Sequence, residues 1–400
     1  MSAGGTFAYR PDLEAIRRDV TELAAMERSS ARPGERASAG WLAARLRQIG
    51  VAQVTVEPYR YQQSYALAHG VHNLAALLAA AMGGPAGAAL AAATAYSYER
   101  EVSGASQWVR RFLPAGEGAN VIARIPSSET PLATLVLLAH HDAANTGIFW
   151  DPRISTLGGA RHLRRRRAGA LMAPVELGLA LAVSGTLASR TRPGRAARLT
   201  AGAILALATA VDLDIARGAT VPGASDNATG VAVCLDLART LAAAPLERTE
   251  VLLALVGSEE AGMGGMAAFL AGHGAALDRN ASFVLGLDTL GAGTPIVCSG
   301  EGAMRERRYR EEDVELVEAG ARAAGEPPPQ RWRIAAWTDP ILAVMAGLPA
   351  VSLLAMGPGY YPHYHHPSDT PSNVAWESVA ACARIAAGTI GLYAERHEVM

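Results

Sequence analysis

The sequence predicts an α/β fold: a mostly parallel, mixed sheet with helices on both faces, interrupted by apolar helical insertions. Two features of the 400 residues predict this class. Short apolar runs typical of buried strands alternate with runs of helical periodicity, as in proteins whose parallel strands are joined by crossover helices. Half of the residues are hydrophobic, which suffices for a sizeable core.

The N-terminal segment is predicted to be helical. Leu42, Leu46 and Ile49 lie at positions i, i+4 and i+7, and Gly50 ends the run. Residues 51–59 then alternate between apolar and polar side chains, which is the pattern of a strand.

The sheet itself is predicted from short apolar runs farther along the chain. These runs read as strands at residues 119–126, 134–139, 250–256, 281–287 and 350–354. Helices are predicted at residues 231–241 and 374–393. Because strands and helices alternate, most neighbouring strands are expected to run parallel.

Two apolar insertions, at about residues 66–116 and 150–216, interrupt what is predicted to be one α/β domain over residues 1–400. Residues 74–96 of the first insertion hold no charged side chain and are broken by Gly83-Gly84-Pro85. In the second insertion five arginines lie within residues 161–167. The stretch 168–189, apolar except for Glu176, and the apolar stretch 199–211 follow.

The length of these stretches bears on whether they cross a membrane. The stretch 199–211 has 211 − 199 + 1 = 13 residues, or about 20 Å of helix against a hydrocarbon core of about 30 Å. Each insertion leaves and re-enters one domain, so it must cross an even number of times or not at all. We expect a small helical subdomain at the rim of the sheet, acting as a lid, as a contact between copies in a homo-oligomer, or as a shallow membrane anchor.

Charge and cysteine content exclude several classes of protein. The formal net charge is −1, without the basic stripe that binding to nucleic acid requires. Cys234, Cys298 and Cys382 are far apart and form no CxxC pair, which argues against a disulfide framework or a cysteine zinc site. The first residues show no secretory signal pattern, so a cytoplasmic or membrane-associated location is expected.

Five segments bring carboxylate or imidazole groups to one predicted edge of the sheet. They follow apolar runs or open the helix at 231–241, and they contain His140-His141-Asp142, Asp226, Ser258-Glu259-Glu260, Asp288, and finally His363, His365, His366 and Asp369. Each has an ordinary explanation when taken alone; Asp226, for example, could cap the following helix. Together they favour a functional site, because working residues of such sheets lie beyond the carboxyl ends of strands.

These residue types suit a metal centre. Zinc binds imidazole nitrogen and carboxylate oxygen and keeps a position open for water when it is catalytic. Two ions about 3.5–4 Å apart need a bridging carboxylate, and a further group must accept the proton of the attacking water. Glu259 and Glu260 can divide these two tasks, and Asp142 and Asp369 suit the orientation of a ligand imidazole. Manganese or cobalt would also fit a carboxylate-rich site.

Several segments together are similar to a known family. The segments LLAHHD, PGASDNATGVAVCLDLA, ALVGSEEAGMGG, LGLDTLG, TDP with GLPA, and YHHPSDTP occur in this order. They resemble the co-catalytic zinc aminopeptidases (metallopeptidase family twenty-eight), relatives of glutamate carboxypeptidase and glutaminyl cyclase. The resemblance covers most of residues 20–60 and 118–395 and implies a zinc exopeptidase-like fold with two Zn²⁺ ions.

The resemblance also implies a role for each residue. It implies that His140 and His365 each bind one metal and that Asp226 bridges the two metals. It implies that Glu260 and Asp288 complete the two ligand groups. It further implies that Glu259 is the general base and that Asp142 is a partner of His140. His366 stands where the family often has threonine, so the ligand role falls to His365. Tyr360 and Tyr361 are candidate contacts of the oxyanion or the substrate.

The implied activity is that of an exopeptidase, an aminopeptidase by preference, acting on a peptide or an amino-acid amide. One alternative is a single-zinc, glutaminyl-cyclase-like acyltransferase, and another is a non-catalytic membrane or interaction protein on the same fold. The complete ligand group argues against both. Ser225, Ser258 and Pro340 depart from common family residues, which bears on substrate recognition and not on the ligands.

Overall fold

A computed structural model describes residues 7–155, 157, 159–168, 172–357 and 363–398. Within these residues ten strands form one sheet: β1 Gln53–Tyr61, β2 Gly116–Ile125, β3 Ala133–His140, β4 Arg167–Ala168, β5 Thr249–Val256, β6 Ser282–Leu287, β7 Thr294–Glu301, β8 Arg307–Arg308, β9 Gln330–Ile334 and β10 Ala350–Met356. Their order is β1-β2-β5-β3-β6-β10-β7-β9-β4, and β8 pairs with β7.

The helices lie on both faces of this sheet and in the insertions. Their bounds are α1 Leu13–Ala24, α2 Pro33–Gln48, α3 Ala66–Met82, α4 Gly84–Val102, α5 Pro152–Ser155, α6 Gly159–Arg165, α7 Ala173–Leu187, α8 Arg192–Arg217, α9 Thr229–Ala243, α10 Gly264–His273, α11 Glu311–Ala323, α12 Pro340–Met345 and α13 Trp376–Glu398. The predicted α/β class, with a mixed and mostly parallel sheet, is therefore confirmed.

The centre of the sheet is the parallel group β5-β3-β6-β10. Val136 of β3 pairs with Leu252 on one side and Val284 on the other. These strands are apolar along nearly their whole length because helices cover both faces, as expected for parallel sheets. Their carboxyl ends lie at the same edge, where the predicted site residues follow.

Truncation of a side chain in this layer is expected to be costly. Leu137 of β3 is fully buried, so Leu137→Ala should lower the free energy of unfolding by about 2–5 kcal/mol through lost burial and a residual cavity. Leu132, just before the strand, is 42% exposed and provides the matched control: Leu132→Ala should stay within about 0.5 kcal/mol. Urea denaturation of both variants measures the difference, and equal losses would place Leu137 outside the core.

Several elements agree with the predictions to within a few residues, and others were not predicted. The runs at 134–139 and 250–256 became β3 and β5, and the helix at 231–241 became α9. The strands β7, β8, β9 and β4 were not anticipated. β7 holds Pro and Gly, β9 alternates arginine with apolar residues, and β4 and β8 have two residues each, so none of them shows the continuous apolar character of the central strands.

The insertions form longer helices than their apolar stretches suggested. The stretch 199–211 lies inside α8, which has 26 residues and is therefore about 39 Å long. The predicted length of 13 residues was wrong because charged residues on both sides continue the helix. The helix begins at Arg192 with Pro193 in its first turn, and the Thr191 side chain caps it by accepting from the Gly194 N–H. Of the described helices, α8 is long and apolar enough to cross a membrane, by length and composition.

Candidate metal centre

His140 is the last residue of β3, and its ring faces two carboxylates from neighbouring segments. Its Nε2 lies 3.3 Å from Oδ1 of Asp226 and 3.8 Å from Oδ1 of Asp288. On the opposite side of the ring, Nδ1 lies 3.4 Å from Oδ1 of Asp142. A ligand imidazole commonly has such an arrangement, with one nitrogen toward a metal and the other toward an orienting carboxylate.

The neighbouring His141 points elsewhere. Its Nδ1 lies 2.8 Å from the Ser38 hydroxyl and its Nε2 lies 2.9 Å from the carbonyl oxygen of Ala119. Burial lowers the pKa of His141 to about 4. Alternation of side chains at the end of the strand thus directs only the first of the two histidines into the site.

His365 approaches the same carboxylate from the loop after β10. Its Nε2 lies 3.4 Å from Oδ2 of Asp226 and 3.0 Å from Oε2 of Glu260. The ring is held between two aromatic side chains: Tyr364 stacks on it with centroids 3.8 Å apart, and Trp150 meets it edge-on at 4.3 Å. His363 and His366 instead contact the Ser368 hydroxyl.

Asp226 lies between the two histidines, and its position is fixed by Asp369. The carboxylate of Asp369 accepts hydrogen bonds from the backbone N–H groups of Ser225 (2.8 Å) and Asp226 (3.1 Å). Asp369 was predicted to orient an imidazole; its hydrogen bonds instead hold the backbone of the Asp226 turn. Burial raises the pKa of Asp369 to about 7.

The loop after β5 places Glu259 and Glu260. Their backbone N–H groups donate to the two carboxylate oxygens of Asp142, at 3.1 and 3.2 Å, and the Ser30 hydroxyl donates to the same carboxylate at 2.7 Å. Asp142 therefore contacts His140 and the glutamate pair at once, which ties the ends of two neighbouring strands together.

Within the described residues, the donor atoms fall into overlapping groups whose members lie within 4.8 Å of one another. One group contains His140, Asp226 and Asp288, and a second contains Asp226, Glu260 and His365. Asp226 belongs to both. A third group joins His140 to Glu259 and Glu260. The structure thus brings together every residue that was expected to bind metal, with Glu259 beside them.

The titration properties of the cluster reflect its crowding. Burial raises the pKa of Glu259 well above its ordinary range, and it also raises that of Glu260. Burial opposes protonation of His365, yet Glu260 and Asp226 outweigh this and raise the pKa of the imidazole to about 10. Burial alone would raise the pKa of Asp226, but the neighbouring His140 and His365 have the larger effect and hold that pKa below its usual value.

Several donor atoms of the cluster are buried without a hydrogen-bond partner among the described atoms: Asp226 Oδ2, Glu260 Oε1 and His365 Nε2. Unsatisfied buried polar groups cost about 1–3 kcal/mol each. A divalent cation bound among them would satisfy all three, so the donor atoms fit the zinc chemistry that the sequence suggested.

Two buried residues that support the site were not singled out from the sequence. The Glu35 carboxylate accepts from the backbone N–H of Ser258 (3.0 Å) and from its hydroxyl (2.8 Å), immediately before the glutamate pair. The Arg28 guanidinium donates to the carbonyl oxygens of His141 and Gly223. Only their position in the fold reveals these roles, because a lone Glu in a helix or a lone Arg in a loop forms no recognisable motif.

A cleft opens beside Glu259 and Glu260. Its walls come from both the sheet and the insertions and include Tyr65, Val102, Trp150, Met172, Met263 and Trp337. Most of these side chains are apolar or aromatic, so the cleft suits a substrate group of the same character. The predicted contacts Tyr360 and Tyr361 lie outside the described residues.

Comparisons with known proteins bear on the family and the fold of the chain. Residues 210–390 match the model of peptidase family M28, a range that holds every residue of the two donor groups except His140. No curated protein sequence matches the chain significantly.

Solved structures share the fold at low sequence identity. An aminopeptidase from Aneurinibacillus sp. strain AM-1 is 14% identical with a TM-score of 0.56, covering 95% of this chain and 93% of that one. A glutaminyl cyclase from Bacteroides thetaiotaomicron is 12% identical with a TM-score of 0.56, covering 96% and 98%. A Zn-dependent exopeptidase from Parabacteroides distasonis is 12% identical with a TM-score of 0.53, covering 95% and 97%. Residues 210–390 thus match peptidase family M28, the chain shares the fold of zinc exopeptidases, and both findings support a hydrolase of the metallopeptidase class.

Proposed function

We propose that the chain is a two-metal exopeptidase, specifically an aminopeptidase that hydrolyses the first peptide bond of its substrate. The observation that carries this proposal is the pair of donor groups that share Asp226. His140, Asp226 and Asp288 would hold one ion, and Asp226, Glu260 and His365 the other. A single ion would leave one histidine and one carboxylate of this buried cluster without a metal to bind.

Glu259 is the proposed general base. Bound divalent ions, zinc by preference, supply a water of lowered pKa and polarise the scissile carbonyl group. The Glu259 carboxylate accepts the proton of the attacking water and then delivers it to the leaving amine. Hydrogen bonds from the Glu259 and Glu260 backbone to Asp142 keep the two side chains in separate positions, so one glutamate can bind metal while the other handles the proton.

The alternative function is cyclisation of an N-terminal glutaminyl residue with one zinc ion. The observation in its favour is that glutaminyl cyclases share the fold as closely as aminopeptidases do. The two overlapping donor groups favour the two-ion peptidase, because the cyclase alternative makes use of only one of them.

Metal content and substrate preference together test the proposal. We expect about two metal ions per chain by mass spectrometry of the purified protein, and release of nitroaniline from a panel of aminoacyl-nitroanilides that includes leucine and phenylalanine. Chelation should abolish this activity, and added zinc should restore it. One ion per chain with ammonia release from a glutaminyl peptide would identify the cyclase, and absence of both ions and activity would identify a non-catalytic protein.

A further inference from the structure

Helices α3, α4, α7 and α8, called here the insertion bundle, pack as a closed group. Neighbouring pairs are α3 with α4, α4 with α7, α7 with α8, and α8 with α3. One part of their shared interior consists of small side chains, Ala79, Ala91, Ala182 and Ala201, and another contains the larger Tyr98, Leu179 and Leu205. Many other large apolar side chains of α3, α7 and α8 point outward.

The outer face of α3 shows this most clearly. Leu67, Val71, Leu74, Leu78 and Met82 follow one another at spacings of four or three residues, and all are exposed. On a water-facing helix these positions normally hold polar or charged residues. The amphipathic helix α11, by contrast, exposes Glu311, Glu312 and Glu315.

Helices α7 and α8 of the bundle share this character, and the exposed positions of α4 are mostly alanine. Leu177 and Leu187 of α7 and Leu199 and Leu207 of α8 are exposed. Residues 66–82, 84–96, 177–187 and 199–211 contain no Asp, Glu, Lys or Arg. Only 17% of the apolar window of α8 is buried inside the protein, so α8 is not the core helix of a soluble domain. The uncharged surface encircles the bundle, and a single protein partner would cover only one side of it.

Polar and aromatic residues bound this surface at its two ends. At one end Arg190, Arg192 and Arg195 are exposed, and the Arg198 side chain lies against Gly83 of the other hairpin. At the other end Tyr96, Trp108 and Phe112 are exposed. The Trp108 indole donates to the Ser97 hydroxyl of α4 at 2.8 Å. The headgroup regions of a bilayer favour both basic and aromatic residues, so each end of the bundle suits one headgroup region.

The height of the uncharged surface also fits a bilayer. From Leu67 to Met82 there are 15 steps, or about 22 Å of helix, against a hydrocarbon core of about 30 Å. Local thinning of the bilayer accommodates a difference of this size, because long arginine side chains also extend toward the headgroups.

We propose that the insertion bundle is embedded in a lipid bilayer as two hairpins, with the arginine end at the anionic headgroups of the far leaflet and the aromatic end at the near surface. The catalytic sheet then lies outside the bilayer. Tyr65 and Met172, which adjoin the bundle, also line the catalytic cleft, so the cleft is held close to the membrane. This proposal does not depend on the proposed peptidase activity.

Flotation of the full chain with vesicles tests the embedding. Protein purified in mild detergent is reconstituted with phosphatidylethanolamine and phosphatidylglycerol, and the vesicles are then washed with alkaline carbonate and with high salt. We expect the protein to stay with the vesicles in both washes. Release by high salt alone would show electrostatic adsorption and overturn the embedding. Failure to float, together with a defined soluble oligomer, would instead assign the apolar surface to contacts between copies.

A pair of triple variants makes the test specific. Leu74→Gln, Leu78→Gln and Leu207→Gln change only exposed positions of the bundle, and should lower the vesicle-bound fraction at least about tenfold by removing apolar area from the lipid contact. The matched control carries the same change at three exposed apolar positions elsewhere, Val56, Leu132 and Met304, and should bind like the wild type. Circular dichroism in detergent verifies that both variants are folded. Equal binding of the two variants would overturn the proposal.

The position of the arginine end is tested by labelling. Ala188→Cys places a thiol beside that end, and Ala323→Cys places one on the catalytic domain; both positions are exposed, and the native cysteines are buried. In sealed vesicles whose catalytic domains face outward, a membrane-impermeant maleimide should label position 323 directly and position 188 only after permeabilisation. Labelling of both without permeabilisation would show that the bundle does not cross.

Discussion

Glu259→Gln is expected to lower kcat for aminoacyl-nitroanilide hydrolysis by about 10²–10⁴-fold, the usual contribution of a positioned general base. The amide keeps the size of the side chain but cannot accept the proton of the attacking water at neutral pH. Glu259 belongs to neither of the two donor groups that share Asp226, so the variant should retain about two metal ions per chain.

The metal content decides how the loss of activity is interpreted. Loss of kcat with both ions in place would support the base, whereas loss of an ion would move Glu259 into the ligand group. Glu315→Gln, on the exposed face of α11, is the matched control and should leave both quantities unchanged. A Glu259→Gln variant with nearly full activity and full metal content would contradict the assignment of the base.

Much of the site was predictable because its residues follow strands of a recognisable kind. His140, Glu259 and Asp288 each come directly after an apolar run, and parallel strands place their carboxyl ends at one edge. The resemblance to the zinc aminopeptidases also distinguished His365 from the adjacent histidine as the expected metal ligand. In the structure, Nε2 of His365 faces Asp226 and Glu260, whereas His363 and His366 contact Ser368.

The supporting residues could not be predicted because their partners are remote in sequence. Glu35 acts on Ser258, which is 223 positions away, and Trp150 reaches His365 from within an insertion. Asp369 was expected beside an imidazole because it follows histidines closely, but the chain turns and presents its carboxylate to the Asp226 backbone. The length of α8 was underestimated for a related reason: apolar content defines a stretch, whereas the cap at Thr191 defines where the helix begins.

Asp226→Ala is expected to have the largest effect on metal binding. Asp226 belongs to both donor groups, with one carboxylate oxygen 3.3 Å from His140 Nε2 and the other 3.4 Å from His365 Nε2. Its removal takes one ligand from each group and leaves two donors in each, fewer than the three protein ligands of ordinary catalytic zinc sites. We therefore expect the metal content to fall from about two ions per chain to nearly none, with no detectable hydrolysis.

Asp288→Ala is the informative comparison because Asp288 belongs only to the group of His140. This variant should lose one ion and keep the other, bound by Asp226, Glu260 and His365. Mass spectrometry of the three proteins, with circular dichroism to verify folding, measures both outcomes. Retention of one ion by Asp226→Ala would mean that one group binds metal without a shared carboxylate. Equal losses in the two variants would mean that the ions bind as an inseparable pair, because loss of either group would then empty the other.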